Sequence, residues 1–264
     1  MRLSIDHRTA YRFSAPQSRL VQMLRLTPEN SHDQTVANWH IHVDCDARMR
    51  EGRDGLGNAV TMLYVDGPIG GIEIAVTGEV LTSTSNGELH GVAEPLPPAL
   101  FLRPTPAIPR DPAIAEFAAP FAGGDAAALD RLNRALHARF ALERGRPEAG
   151  LDAGTAFARG RGTPRDAAQV FVAAARSLGA PARYASGYLL AEGDHRPTPH
   201  GWAEAYVEGT GWIGFDPTRA TRFGEDYVRV ASALDAAGAA PVAGSRLGDG
   251  AEELDVDVSV SRAE

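Results

Sequence analysis

The sequence contains no lysine, because all 26 of its basic residues are arginine. This absence excludes Schiff-base catalysis by lysine and the phosphate-binding P-loop, both of which need that side chain. Cys45 is the only cysteine, so intramolecular disulfides and cysteine-rich zinc sites are excluded as well. No apolar run is long enough to cross a membrane, and the first residues lack the apolar core of a signal peptide. These features predict a cytoplasmic protein.

Charge and hydrophobicity further limit which partners and which kind of fold this sequence can have. The 264 residues carry 34 acidic and 26 basic side chains, a net charge of -8. Such a balance argues against nucleic acid or an anionic membrane surface as a partner. Hydrophobic residues make up 44% of the chain, which is enough to bury a core, and the length suits two domains.

Residues 1–82 have the pattern of an antiparallel β module. Alternation is clearest over 36–46, where Trp39, Ile41, Val43 and Cys45 share one face. Glycine, asparagine and proline predict turns at 54–58 and 66–71. Residues 83–112 hold seven prolines, so we expect a connector without regular structure.

Residues 113–264 combine helical and strand patterns, which predicts an α+β core with a helix packed on an antiparallel sheet. A helix is expected over 125–140, followed by a loop at 144–153. The sharpest helix start lies at Thr163, a candidate N-cap, with Pro164 in the first helical position and Asp166 in the third. Strands are predicted over 182–190, 200–208, 212–216, 227–231 and 254–260.

Three successive elements of this core carry residues suited to catalysis. They are the polar start of the helix, a strand that opens with His200, and a strand that closes with Asp216. Nucleophile, histidine and carboxylate triads are built from such separated positions. The pattern therefore favours a triad-type site.

Several segments resemble bacterial transglutaminase-like proteins, which have a papain-like cysteine peptidase fold. In the core these are 180–188 (Ala-Pro-Ala-Arg-Tyr-Ala-Ser-Gly-Tyr), 200–204 (His-Gly-Trp-Ala-Glu) and 211–218 (Gly-Trp-Ile-Gly-Phe-Asp-Pro-Thr). At the N-terminus, 24–28 (Leu-Arg-Leu-Thr-Pro) and 53–58 (Arg-Asp-Gly-Leu-Gly-Asn) are similar to the accessory β domain of that group. The resemblance covers most of the chain.

The resemblance implies a Cys-His-Asp triad that performs acyl transfer or peptide hydrolysis. Its cysteine belongs to a Gly-Val-Cys-Gln-Asp-Phe-Ala-His segment, and the matching segment 162–169 reads Gly-Thr-Pro-Arg-Asp-Ala-Ala-Gln. His200 and Asp216 remain, whereas Pro164 stands in the position of the cysteine. The expectation is a pseudoenzyme that binds a peptide, a protein or a partner subunit such as an active relative.

An active amidohydrolase is the alternative, with Thr163 or a metal-activated water working with His200 and Asp216. Cys45 is expected to be a small buried hydrophobe rather than a substitute nucleophile. His40, His42 and Asp44 share a strand face, and Asp194 and His195 lie near His200, yet neither set is predicted as a metal site. No cofactor is predicted. Trp202, Trp212 and Tyr188 are the candidate binding residues, and the two tryptophans either wall the cleft or build the sheet core.

Overall fold

The N-terminal part of the chain folds into an antiparallel sheet around two very long strands. The structure is a computed structural model that describes residues 1–190 and 196–263. The two long strands pair along almost their whole length, and two shorter strands pair with the far edge of the second one. The four strands are β1 (Arg2–Leu24), β2 (Gln34–Val43), β3 (Arg48–Arg53) and β4 (Ala59–Thr82).

The turn predicted at 66–71 is wrong, because β4 runs through this segment without reversing. Glycine is needed here for close approach between strands. A Cβ atom on Gly67 would lie 2.1 Å from the carbonyl oxygen of Gln17, and one on Gly71 would lie 2.8 Å from that of Tyr11. The register of β1 against β4 shifts between Arg12 and Arg19, beside these glycines. They therefore permit an irregularity within paired strands rather than a hairpin.

The connector and the helices follow. Residues 83–112 contain a short 3₁₀ helix, Pro98–Leu102. The helices are α1 (Pro112–Ala118), α2 (Ala126–Arg139), α3 (Ala153–Arg159) and α4 (Pro164–Ser177). Among the described residues, none of these helices has the length and apolar character needed to cross a membrane.

The predictions for α2 and α4 are confirmed, whereas α1 and α3 were not predicted. Each of the two missed helices has only 7 residues, too few for a clear apolar period. Both begin at an aspartate whose side chain accepts from first-turn N–H groups, Asp111 for α1 and Asp152 for α3. These N-caps were the available sequence signal.

Helix α4 packs against the centre of a second antiparallel sheet. Its buried face includes Val170, Phe171 and Ala174, and the ring of Phe171 stacks on Phe215 with 5.2 Å between centroids. Two very short strands, β5 (Ala141–Leu142) and β6 (Arg161–Gly162), pair just before the helix. The sheet has the order β10-β9-β8-β7-β11. Its strands are β7 (Ala182–Leu189), β8 (His200–Val207), β9 (Gly211–Asp216), β10 (Thr221–Arg222) and β11 (Tyr227–Ala233).

The C-terminal strands return to the first sheet. Strands β12 (Val242–Leu247) and β13 (Glu252–Arg262) both pair with β1. Only β13 was predicted as a strand, over 254–260, and β12 was not predicted. The predicted boundary at residue 113 grouped this region with the core, since alternation identifies a strand but not the strand it pairs with. The first sheet is thus built from both ends of the chain.

Side-chain amides join the two sheets at β11. Asn58 donates to the carbonyl of Ser232 at 2.9 Å and accepts from its N–H at 2.8 Å. Gln34 makes the same pair of contacts with the backbone of Arg229, both at 2.9 Å. An apolar cluster that includes Ile5 and Val228 fills the space between the sheets. The N-terminal sheet is therefore a fixed wall beside the core.

Candidate functional site

The polar groups at the start of helix α4 bond to one another. The carboxylate of Asp166, 1% exposed, accepts from the N–H of Thr163 at 2.9 Å and from its hydroxyl at 2.7 Å. Its other oxygen accepts from Arg165, at 2.9 Å from Nε and 2.7 Å from Nη2. Pro164 occupies the first helical position, as predicted, where a backbone N–H would have no acceptor within the helix.

His200 and Asp216 are hydrogen-bonded to each other. His200 opens β8 and Asp216 closes β9, and because these neighbouring strands are antiparallel, the start of one lies beside the end of the other. His200 Nε2 is 2.7 Å from Asp216 Oδ2, and both side chains are buried. The structure therefore brings together the two residues that the sequence singled out.

Four donors hold the carboxylate of Asp216. Oδ2 accepts from His200 and from the hydroxyl of Tyr227 at 2.8 Å. Oδ1 accepts from the N–H and the hydroxyl of Thr218, at 2.8 and 2.6 Å. Burial alone would raise the pKa of Asp216, but the attraction of His200 and these hydrogen bonds outweigh it and hold the pKa below its ordinary value. Asp216 is therefore an anion, which requires Nε2 of His200 to carry a proton.

The other ring nitrogen of His200, Nδ1, is buried and has no hydrogen-bond partner among the residues that the structure describes. Buried polar atoms are normally paired, so this atom marks a position that a ligand can fill.

His200 faces a cavity of about 520 Å³ between the two sheets. Thr163, Pro164 and Arg165 at the start of α4 line it on the core side, together with Tyr184 of β7. The N-terminal sheet supplies the opposite lining through His7, Thr9 and Tyr11 of β1 and Leu254 and Val256 of β13. An alanine-rich loop, residues 236–241, completes the lining. The N-terminal sheet is thus part of the candidate site.

The aromatic residues predicted to bind a ligand are not among the described residues that line this cavity, and their role in binding stays a prediction. Trp202 is fully buried behind His200, with 6.3 Å between stacked ring centroids. Trp212 packs under the guanidinium of Arg183, 3.9 Å from its ring centroid. Tyr188 is 1% exposed and lies beneath the first sheet. Large aromatic side chains on a central strand are core-forming in the first instance, and here they support the cavity from behind.

The other predicted candidates are placed apart from the cavity. Cys45 is half-buried on the apolar face of the first sheet, and burial raises the pKa of its thiol, with Asp44 and Asp46 adding to the effect. His40 and His42 are exposed on β2. Within residues 1–190 and 196–263 there is no cluster of three or more metal-ligating side chains. Asp194 and His195 lie outside the described residues.

Sequence reasoning missed four residues of the site. Thr218 and Tyr227 hold Asp216, while His7 and Thr9 line the cavity. Thr218 had a signal, because a threonine two residues after an aspartate commonly bonds back to it in a turn. His7 and Thr9 had one too, since they continue the buried alternation of Leu3 and Ile5 on β1 with polar side chains.

This geometry defines a class of protein. A helix N-terminus and a strand histidine line one cavity, and a carboxylate on the next strand bonds to the histidine, as in papain-like enzymes. Residues 3–81 match the bacterial transglutaminase-like N-terminal region, and residues 115–217 match the transglutaminase-like superfamily. The chain belongs to the transglutaminase-like superfamily and carries the N-terminal region of its bacterial members.

The chain is also similar to individual proteins. The structure of a putative cysteine protease from Cytophaga hutchinsonii superimposes with a TM-score of 0.77 at 20% identity, over 100% of this chain and 92% of that one. The periplasmic domain of TgpA from Pseudomonas aeruginosa gives a TM-score of 0.39 at 17% identity, over 80% and 87% of the two chains. An uncharacterized protein from Mycobacterium leprae is 35% identical over 88 residues, and the matched segment spans 31% of each chain.

Proposed function

We propose that the protein is a transglutaminase-like or cysteine-peptidase-like pseudoenzyme that has lost its nucleophile and binds a peptide or protein segment in the cleft. One observation carries the proposal. His200 presents a buried Nδ1, without a partner among the described residues, at a cavity whose adjoining helix begins with Pro164. In a working enzyme of this class, a cysteine thiol at the helix start would fill that position.

Proline removes two parts of the chemistry at once. It has no nucleophilic side chain, and it has no backbone N–H to stabilise the oxyanion of a tetrahedral intermediate. Loss of one oxyanion donor alone costs about 3–4 kcal/mol of transition-state stabilisation in other hydrolases. The helix dipole, which would lower the pKa of a thiol at this position, acts on nothing reactive here.

Thr163 is the alternative nucleophile, because it lines the same cavity as His200. Its hydroxyl, however, donates to Asp166 at 2.7 Å, so its proton is directed to a carboxylate of its own helix and not to His200. Asp166 is in turn held by Arg165, which ties the hydroxyl to the helix cap. These contacts favour a capping role for Thr163, and a hydrolase built on it, or on a metal-activated water, remains the second candidate.

The partner follows from the same reasoning. A cleft with a ligand-accessible imidazole and without a nucleophile suits retention of a peptide rather than its turnover. An active relative that presents such a segment is a candidate partner, and a cytoplasmic location stays a prediction.

A turnover assay tests the proposal. The wild type, His200→Ala and Pro164→Cys are compared for amide hydrolysis and amine incorporation on a pool of glutamine-containing peptides, with and without a chelator. We expect no turnover by the wild type. Wild-type turnover that is lost in His200→Ala would overturn the pseudoenzyme proposal, and its sensitivity to the chelator would separate a metal from Thr163.

A further inference from the structure

A second polar position lies in the cleft, on the wall that the N-terminal sheet supplies. His7 and Thr9 follow each other on the buried face of β1 and are 1% and 4% exposed. Both line the cavity that holds His200. Polar side chains at such buried positions cost free energy unless they are hydrogen-bonded, so their partners indicate what they can do.

A chain of hydrogen bonds connects these residues to the core. The hydroxyl of Tyr188 lies 3.0 Å from His7 Nδ1, and Thr9 Oγ1 lies 3.1 Å from His7 Nε2. Burial lowers the pKa of His7 to about 4, with Asp257 partly opposing the effect. At neutral pH the ring is therefore uncharged, with one N–H donor and one acceptor nitrogen.

The donor and the acceptor in each of these hydrogen bonds follow from the positions of the protons. Tyr188 is 1% exposed, and His7 is the hydrogen-bond partner that the described residues offer its hydroxyl. A buried phenol proton is costly to leave unpaired, so Tyr188 donates to Nδ1 of His7. Nε2 then carries the ring proton and donates to Thr9 Oγ1. The hydroxyl proton of Thr9 has no acceptor among the described residues and is left for the cavity.

The two walls of the cleft thus each offer a polar group to a ligand. Thr9 offers a donor from the N-terminal sheet, and the core offers Nδ1 of His200, which has no hydrogen-bond partner among the described residues. Among the described residues that line the cavity none carries a carboxylate, and most are apolar, including Leu151, Leu254 and Val256. A peptide backbone with apolar side chains provides a carbonyl oxygen for Thr9 and a further polar group for Nδ1 of His200.

We propose that Thr9, held in place by His7 and Tyr188, donates a hydrogen bond to a carbonyl oxygen of an apolar peptide in the cleft. The inference rests on the proposed function and deepens it, because it makes the N-terminal sheet a binding surface as well as a support. Thr9 is a ligand-contacting residue in this account, whereas His7 and Tyr188 are positioning residues.

A peptide array with matched variants tests the contact. The probes are apolar hexapeptides with acetylated N-termini and amidated C-termini, and the tightest wild-type binder is used for titrations. Thr9→Val removes the hydroxyl at nearly constant shape, and we expect it to weaken binding about five- to tenfold. Thr9→Ser keeps the donor and should bind within about twofold of the wild type. Thr77→Val, the same change at an exposed site on β4, is the control. Thermal unfolding of each variant verifies its fold.

Nuclear magnetic resonance of the histidine rings tests the chain of donors without a ligand. ¹⁵N shifts of His7 in the wild type should show a neutral ring with the proton on Nε2, and Tyr188→Phe should shift the tautomer towards Nδ1–H. A wild-type ring protonated on Nδ1 would overturn the proposal whatever the binding result.

The outcomes separate the two levels of the account. Equal binding by Thr9→Val and the wild type would overturn the role of Thr9 and leave the peptide-binding function standing. If the wild type binds none of the peptides, the proposed peptide-binding function fails, and this inference fails with it.

Discussion

The core forms two sides of the cleft, strands β8 and β9 on one and the start of α4 on the other. They differ in the catalytic groups that they present. On the strand side, His200 and Asp216 are arranged as a working enzyme needs them, and Tyr227 and Thr218 fix the carboxylate. On the helix side, α4 starts with Pro164, and its other polar groups bond to one another. The strand side presents a histidine held by a carboxylate, whereas on the helix side the hydroxyl of Thr163 bonds to Asp166.

The difference shows that a buried histidine–aspartate pair has a structural role of its own. Asp216 is a fully buried anion, and its four donors repay the cost of that burial. Removing either partner of such a buried pair lowers the free energy of unfolding, whether or not the protein is an enzyme. Proline at the first position of a helix, by contrast, is compatible with folding. A retained pair is therefore evidence of a retained fold and not of retained catalysis.

The largest loss of stability is expected when Asp216, at the end of β9, is replaced. Asp216→Ala leaves the ring N–H of His200, the hydroxyl of Tyr227 and the N–H of Thr218 without an acceptor in a buried site. We expect a loss of about 3–5 kcal/mol in the free energy of unfolding, measured by urea denaturation. Asp226→Ala, which breaks a more exposed pair with Arg219, is the control and should cost about 1 kcal/mol or less. Equal costs for the two variants would remove the structural explanation for the retained pair.

The burial of His7 in the N-terminal sheet should make the free energy of unfolding depend on pH. The pKa of His7 is about 4 in the folded protein against 6.5 in the unfolded chain, so its contribution is complete above pH 6.5 and is lost as the pH falls towards 4. The expected loss is about 3 kcal/mol over this interval. It should be absent in His7→Gln and unchanged in His40→Gln, which alters an exposed histidine. The measurement is urea denaturation between pH 7 and 4, and identical slopes in all three proteins would contradict a buried neutral His7.

Thr163 should have a moderate effect that concerns stability alone. Because its hydroxyl donates to Asp166, Thr163→Ala is expected to cost about 1 kcal/mol, while Thr163→Ser should retain most of the stability. Chemical denaturation of the three proteins measures this. A stable Thr163→Ala variant that loses a turnover seen in the wild type would favour the hydrolase alternative instead.

Pro164 should have the smallest effect on folding. Pro164→Ala is expected to cost about 0.4–1 kcal/mol, because proline mainly reduces the conformational freedom of the unfolded chain. Pro112→Ala, at the equivalent first position of α1, is the matched control and should behave similarly. A cost several times larger at Pro164 alone would mean that the proline is held by packing in the cleft.

Local signals were sufficient for much of the fold and of the site. The N-cap of α4, the hairpin of β8 and β9, and the positions of His200 and Asp216 all follow from residues close in sequence. The pairing of β12 and β13 with β1 could not be derived in this way, because it joins residues at opposite ends of the chain. For the same reason Thr9 and Tyr188 were not recognised as part of one cluster. The turn expected at Gly67 failed because glycine serves close strand approach as well as chain reversal.

The reactivity of a thiol placed at the start of α4 shows whether His200 still acts as an active-site base. In a Cys45→Ser background, Pro164→Cys places a single thiol at the start of α4, and its rate of alkylation is followed against pH with and without His200→Ala. We expect a thiol that reacts faster than free cysteine near neutral pH and loses this advantage when His200 is replaced. A rate equal to that of free cysteine, and indifferent to His200, would contradict the claim that the cleft preserves an active-site base without its nucleophile.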